Sequence, residues 1–161
     1  MKDINSEEAV NARRDQEDPI VMYLIVRESL SMSMGKTAAQ CAHASQMLQL
    51  KNTRLDWEIE SYLPLPHEAV GYDGSNIPQD LKDRSKIFSQ WLDSSFRKVV
   101  LKADDKEWAK VKEAFQGEYA RVLVVDAGLT EIPSGSETVI GLWPMRKSEV
   151  PKVIKRLQVL K

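Results

Sequence analysis

The chain has 161 residues, enough for one domain with a real core, and its 42% hydrophobic and 29% charged residues with seven Gly and seven Pro exclude a disordered or low-complexity polymer. One cysteine, Cys41, and two histidines exclude a disulfide framework and a Cys/His zinc set, so neither metal nor cofactor is expected. No apolar run reaches the ~20 residues of a membrane span and the first eighteen residues lack the apolar core of a secretion signal, which makes the cytoplasm the expected compartment; the net charge of -1 leaves the placement of charges, not their sum, to indicate partners.

Residues 1–18 hold six acidic against three basic side chains, a net -3, and read as a flexible tail with a short helix around residues 9–13, outside a domain spanning 19–161. Residues 20–26 (IVMYLIV) form a β-branched apolar run suited to a central strand covered on both faces. Residues 35–50, rich in Ala, Gln, Met and Leu, read as a helix whose Ala38, Ala39, Ala42 and Ala44 allow close approach to a sheet. From 51 to 95 the pattern is broken by Pro64, Pro66, Gly71, Gly74 and Pro78, and a helical spacing resumes over 81–92; this is an extended insertion, longer than a connection requires.

Residues 97–103 (RKVVLKA) read as a strand, followed by a helix capped by Asp104 or Asp105, running to Phe115 and stopped by Gly117. A buried strand over 121–125 (RVLVV), a loop from Asp126 to Glu137, a strand over 138–143 and a last helix over 148–157 complete the chain. Residues 145–161 carry six basic side chains against Glu149 alone, a net +5, and are the better candidate for contact with a polyanion. The order implies an α/β domain with a mostly parallel or mixed sheet of about four strands.

Gly35-Lys36-Thr37 after a buried strand imitates a P-loop, but the glycine needed five residues before the GK pair is Leu30, and no GxGxxG follows a strand. What remains is Lys36 at a helix N-terminus, with Gln40 and His43 on the same face at i+4 and i+7, and Asp126 at the end of a strand beside Thr130, Ser136 and Thr138. If the two strands run in the same direction, Lys36 and Asp126 open into one crevice. A structural role, with Asp126 capping its loop and Lys36 paired to it, suits the same residues.

Three ordered segments carry a resemblance. Residues 23–44 (YLIVRESLSMSMGKTAAQCAHA), 98–102 (KVVLK) and 126–138 (DAGLTEIPSGSET) resemble the type 2 peptidyl-tRNA hydrolases of archaea and eukaryotes. The resemblance implies a single α/β domain with a four-stranded mixed sheet and helices on both faces, often a homodimer. It also implies metal-free hydrolysis of the ester between peptide and tRNA. By position it places catalytic roles on Lys36, Asp126 and Thr130, and substrate-binding roles on Gln40, His43, Gly128, Gly135, Ser136 and Thr138. The chemistry fits: Lys36 can stabilise an oxyanion or hold a terminal phosphate, and Asp126 can orient or deprotonate water, acting through Thr130. Contacts to tRNA phosphates are expected from the basic last helix with Arg97 and Lys98.

The chain departs from that family at Leu129, Glu131, Ser134 and Glu137, where two cations are lost and two anions gained, at Ser29 and Met34, and in the long 51–95 region. Those departures suit a non-catalytic relative that binds RNA or protein on the same scaffold. Cys41 reads as a small core residue and His43, about 10 Å along the helix from Lys36, as a brace. Trp57, Tyr62 and Tyr72 read as packing the insertion onto the domain.

Overall fold

In the computed structural model, residues 7–64 and 73–161 are described. In chain order the elements are α1 (Glu7–Glu17), β1 (Ile20–Arg27), α2 (Met34–Glu60), α3 (Gln79–Asp93), β2 (Arg97–Ala103), α4 (Asp105–Ala114), β3 (Arg121–Val125), β4 (Glu137–Leu142), β5 (Met145–Arg146), α5 (Lys152–Lys155) and β6 (Gln158–Val159).

The apolar run of β1 is buried throughout because it is sandwiched. Ile20, Met22, Leu24 and Val26 face one layer with Ala44, Leu48, Phe88 and Trp91, while Val21, Tyr23 and Ile25 face the other with Trp108, Val111 and Ile154. Helices α2 and α3 cover the first face, α4 and α5 the second. The sheet order is β3-β4-β1-β2-β6, with β5 pairing to β1. β1 and β2 are parallel, whereas β4 is antiparallel to both β1 and β3. Hence β3 runs in the same direction as β1, and their carboxyl ends share one edge of the domain.

Four long strands match the expected number, but the sheet has six. The additional β5 and β6 are two residues each and exist through pairing with β1 and β2, a property their own sequences do not announce. The expected last helix is likewise broken up: α5 covers only Lys152–Lys155, because Pro151 precedes it and residues 158–159 turn to pair with β2.

Helix α2 extends ten residues past the expected end, so part of the 51–95 region continues it. Leu55, Leu81, Phe88 and Trp91 from that region belong to the core, and Tyr62 packs against it. Trp57 stays exposed and Tyr72 lies outside the described residues. Of the four alanines expected against the sheet only Ala44 is there, since 38, 39 and 42 fall on the outer face of a 3.6-residue helix. The approach is close: a Cβ on Gly141 of β4 would lie 3.0 Å from Leu48 Cδ1 and 3.3 Å from Ala44 Cβ. Asp104 begins α4 in a reciprocal capping box with Glu107.

The acidic start and basic end of the chain meet. Arg146 is buried, donating to Asp15 at 2.5 Å and to the Asp18 carbonyl, and the Asp18 carboxylate accepts from the Ser148 N–H and hydroxyl. Arg146 is therefore a structural cation, not one of the surface charges expected of the C-terminal segment. Residues 1–6 of the expected tail lie outside the described residues, while 7–17 form α1.

Candidate active site

Two elements bring the central residues together. Ser33 caps α2, its hydroxyl accepting from the Lys36 N–H at 3.3 Å, and this places Lys36 in the first turn. β3 ends at Val125, and Asp126 turns into a loop closed by its own backbone: its N–H donates to the Ser136 carbonyl at 2.9 Å and its carbonyl accepts from the Gly135 N–H at 2.8 Å. Gly128 has φ +76°, and a Cβ there would lie 2.4 Å from the Ser134 nitrogen. Only glycine lets the loop fold this tightly.

The Lys36 Nζ donates to Asp126 Oδ1 at 2.5 Å and to Thr130 Oγ1 at 3.1 Å. Gln40 Nε2 donates to the same Asp126 oxygen at 3.0 Å, and the Gly128 N–H donates to the other at 2.9 Å. An ionised carboxylate only accepts, so the Gln40 amide must present its nitrogen there and its oxygen to the Thr138 hydroxyl, 2.6 Å away. Gln40 and Thr138 are buried, so the pair forms a rigid backing for Asp126. The Lys36 ammonium, helped by the Gly128 N–H, holds the Asp126 carboxyl below the usual carboxylate range.

Lys36, Asp126, Thr130 and Gln40 line a cleft of about 440 Å³ with His43, Val125 and Leu129. His43 lies on its wall, exposed, and makes none of the bonds just described. Gly135 and Ser136 build the loop through their main chain, and the Ser136 hydroxyl donates back to Pro133. Cys41 is buried beneath the helix, and burial pushes its thiol up to about 11, the behaviour of a core residue. Among the described residues no group of His, Cys, Asp and Glu could hold a metal ion.

Glu131 was legible only as a departure, yet it is part of the assembly. Its carboxylate accepts from the Ser33 N–H at 2.9 Å and the Ser33 hydroxyl at 2.5 Å, tying the loop to the start of α2. The other acidic departure, Glu137, accepts from Lys112 at 2.7 Å and from the Trp108 indole at 3.2 Å. A serine at the start of a helix gives no local signal of a pairing with a loop glutamate 98 positions away.

A model of the family described as Peptidyl-tRNA hydrolase PTH2 matches residues 20–160. The chain is 33% identical over 141 residues to the probable peptidyl-tRNA hydrolase 2 of Dictyostelium discoideum, a match covering 84% of this chain and 52% of that protein. It is 32% identical over 144 residues to a peptidyl-tRNA hydrolase of Pyrobaculum aerophilum, covering 88% and 98%, and 31% identical over 142 residues to that of Methanopyrus kandleri, covering 86% and 96%. It thus spans about half of the Dictyostelium protein and nearly all of the archaeal ones. Because the matched stretch begins with β1 and runs past β6, taking in both halves of the cleft, the chain belongs to the PTH2 family of peptidyl-tRNA hydrolases.

Proposed function

We propose that this chain, a peptidyl-tRNA hydrolase, cleaves the ester between peptide and tRNA at Lys36, Asp126 and Thr130. The observation that carries the reading is the Lys36 ammonium, which donates to Asp126 and Thr130 and has a third N–H for a ligand in the cleft. That donor holds the carbonyl oxygen as it becomes an oxyanion, where the α2 N-terminus reinforces it. Asp126 orients the ammonium, and Thr130, exposed beside it, positions the attacking water. The water oxygen bonds to the carbonyl carbon, the bond to the ribose oxygen breaks, and the water proton passes to that oxygen, giving tRNA and a free peptide.

The two acidic departures do not oppose this reading, since Glu137 is paired with Lys112 and Glu131 is engaged by Ser33 at the positive end of α2. The compartment proposed for it is the cytoplasm, as expected of the sequence; among the described residues no helix is long and apolar enough to cross a membrane. The test is turnover of labelled peptidyl-tRNA by wild type, Lys36→Ala and Asp126→Asn. Each variant should lose about a hundredfold or more in kcat/KM. Equal turnover by all three would remove the cluster from the mechanism.

A further inference from the structure

Beyond the reacting groups, the cleft continues. α2 and β3 run antiparallel, from Lys36 beside Asp126 at one end to Lys51, which donates to the Arg121 carbonyl, at the other. Between them lies a trough of about 370 Å³ that shares His43 and Val125 with the cleft. Apart from His43 and Gln46 its walls are apolar, and they are open to solvent: Met47 is 38% exposed, Leu50 58% and Val125 56%. Leu129, 88% exposed, stands at the junction. β3 is an edge strand whose only strand partner among the described residues is β4.

We propose that this trough binds the peptide moiety of the substrate, an assignment that rests on the hydrolytic reading above. The ester carbonyl sits at Lys36, and the preceding residues run towards Leu50 with apolar side chains against Met47, Val125 and Leu50. No Lys or Arg lines the trough, so it has nothing to neutralise an RNA backbone. An extended peptide matches it in two ways, through apolar pockets and through the main-chain groups of an unpaired strand edge. From Lys36 to Leu50 the helix rises about 21 Å, the length of roughly six extended residues.

The experiment compares kcat/KM for N-acetyl-aminoacyl-tRNA with that for tRNAs carrying apolar peptides of two to ten residues, using wild type, Met47→Asp and Leu50→Asp. For wild type, kcat/KM should rise with peptide length and level off near six residues. In each variant the ratio of hexapeptidyl to N-acetyl-aminoacyl kcat/KM should fall about tenfold, as expected for losing one buried apolar contact. An active wild type indifferent to peptide length, or variants that lower both substrates equally, would overturn the trough while leaving the hydrolytic site intact. A wild type inactive on every substrate would overturn both. Variants that change only the oligomeric state, read by light scattering, would make the trough an interface between copies and overturn its role in peptide binding.

Discussion

Asp126 owes its state to its neighbours. Donors on both carboxylate oxygens, led by the Lys36 ammonium, favour the ionised form and lower its pKa from the ordinary 3.8. A carboxylate held that low is a weak base at neutral pH, which is why the proposed mechanism has it aim the ammonium rather than take a proton. A group whose pKa is depressed by folding adds stability above its unfolded value, and that contribution disappears as pH falls through the folded value. The difference in unfolding free energy between wild type and Asp126→Asn should therefore stay constant from neutral pH down and shrink only below about pH 4. Urea titrations across that range would show it; a difference already fading at pH 6 would mean that Asp126 is not held in this network. Lys36, Gln40 and Asp126 were readable because each sits at an element end or at i+4 spacing, where position limits what a side chain can reach, whereas mid-loop Thr130 was marked as part of the site by the family resemblance. Glu131 was not, because its partner Ser33 is distant in sequence and the same glutamate would be unremarkable on any surface loop.

At the scale of elements, the loop from Asp126 to Ser136 and the first turn of α2 are separate pieces that must be registered against one another. Glu131 does this with two bonds to Ser33, whose hydroxyl in turn caps the Lys36 N–H. Glu131→Ala should lower kcat by about ten- to a hundredfold, the usual cost of a reacting group displaced by about an ångström, with KM changing less. Glu131→Gln, which keeps an acceptor, should recover part of it. If steady-state kinetics show Glu131→Ala with wild-type kcat, the registration comes from elsewhere. The strands β2 and β3 have the bounds their sequences suggest, since a β-branched apolar run between charged or glycine-bearing segments has few other uses. The second half of α2 was hidden by Lys, Asn, Arg and Asp, a composition that suits loop and exposed helix alike, and only Leu55 and its contacts with the core decide it.

For the whole molecule, the charge asymmetry seen along the chain is partly cancelled in space. Asp15 and Asp18 lie against Arg146 and Ser148, which leaves Lys147, Lys152, Lys155, Arg156 and Lys161 as the exposed cations of the last segment. If that face meets tRNA phosphates, KM for peptidyl-tRNA should climb steeply with salt. Changing Lys152 and Lys155 together to Glu should reduce the slope of log KM against log salt by about two. Kinetics between low and physiological ionic strength would measure this, and an unchanged slope would move the RNA to another face.

The near contact of α2 with Gly141 has a further consequence for the shape of the cleft. A helix seated almost backbone to backbone on the sheet has no room to slide or tilt inward, and its long axis is pinned again by Leu55 in the core. Lys36 is thus mounted on the stationary half of the site. The segment carrying Thr130 is fastened to that fixed helix at both of its sides, through Lys36 to Asp126 and Thr130 and through Glu131 to Ser33, so the cleft keeps its shape only while these polar ties hold.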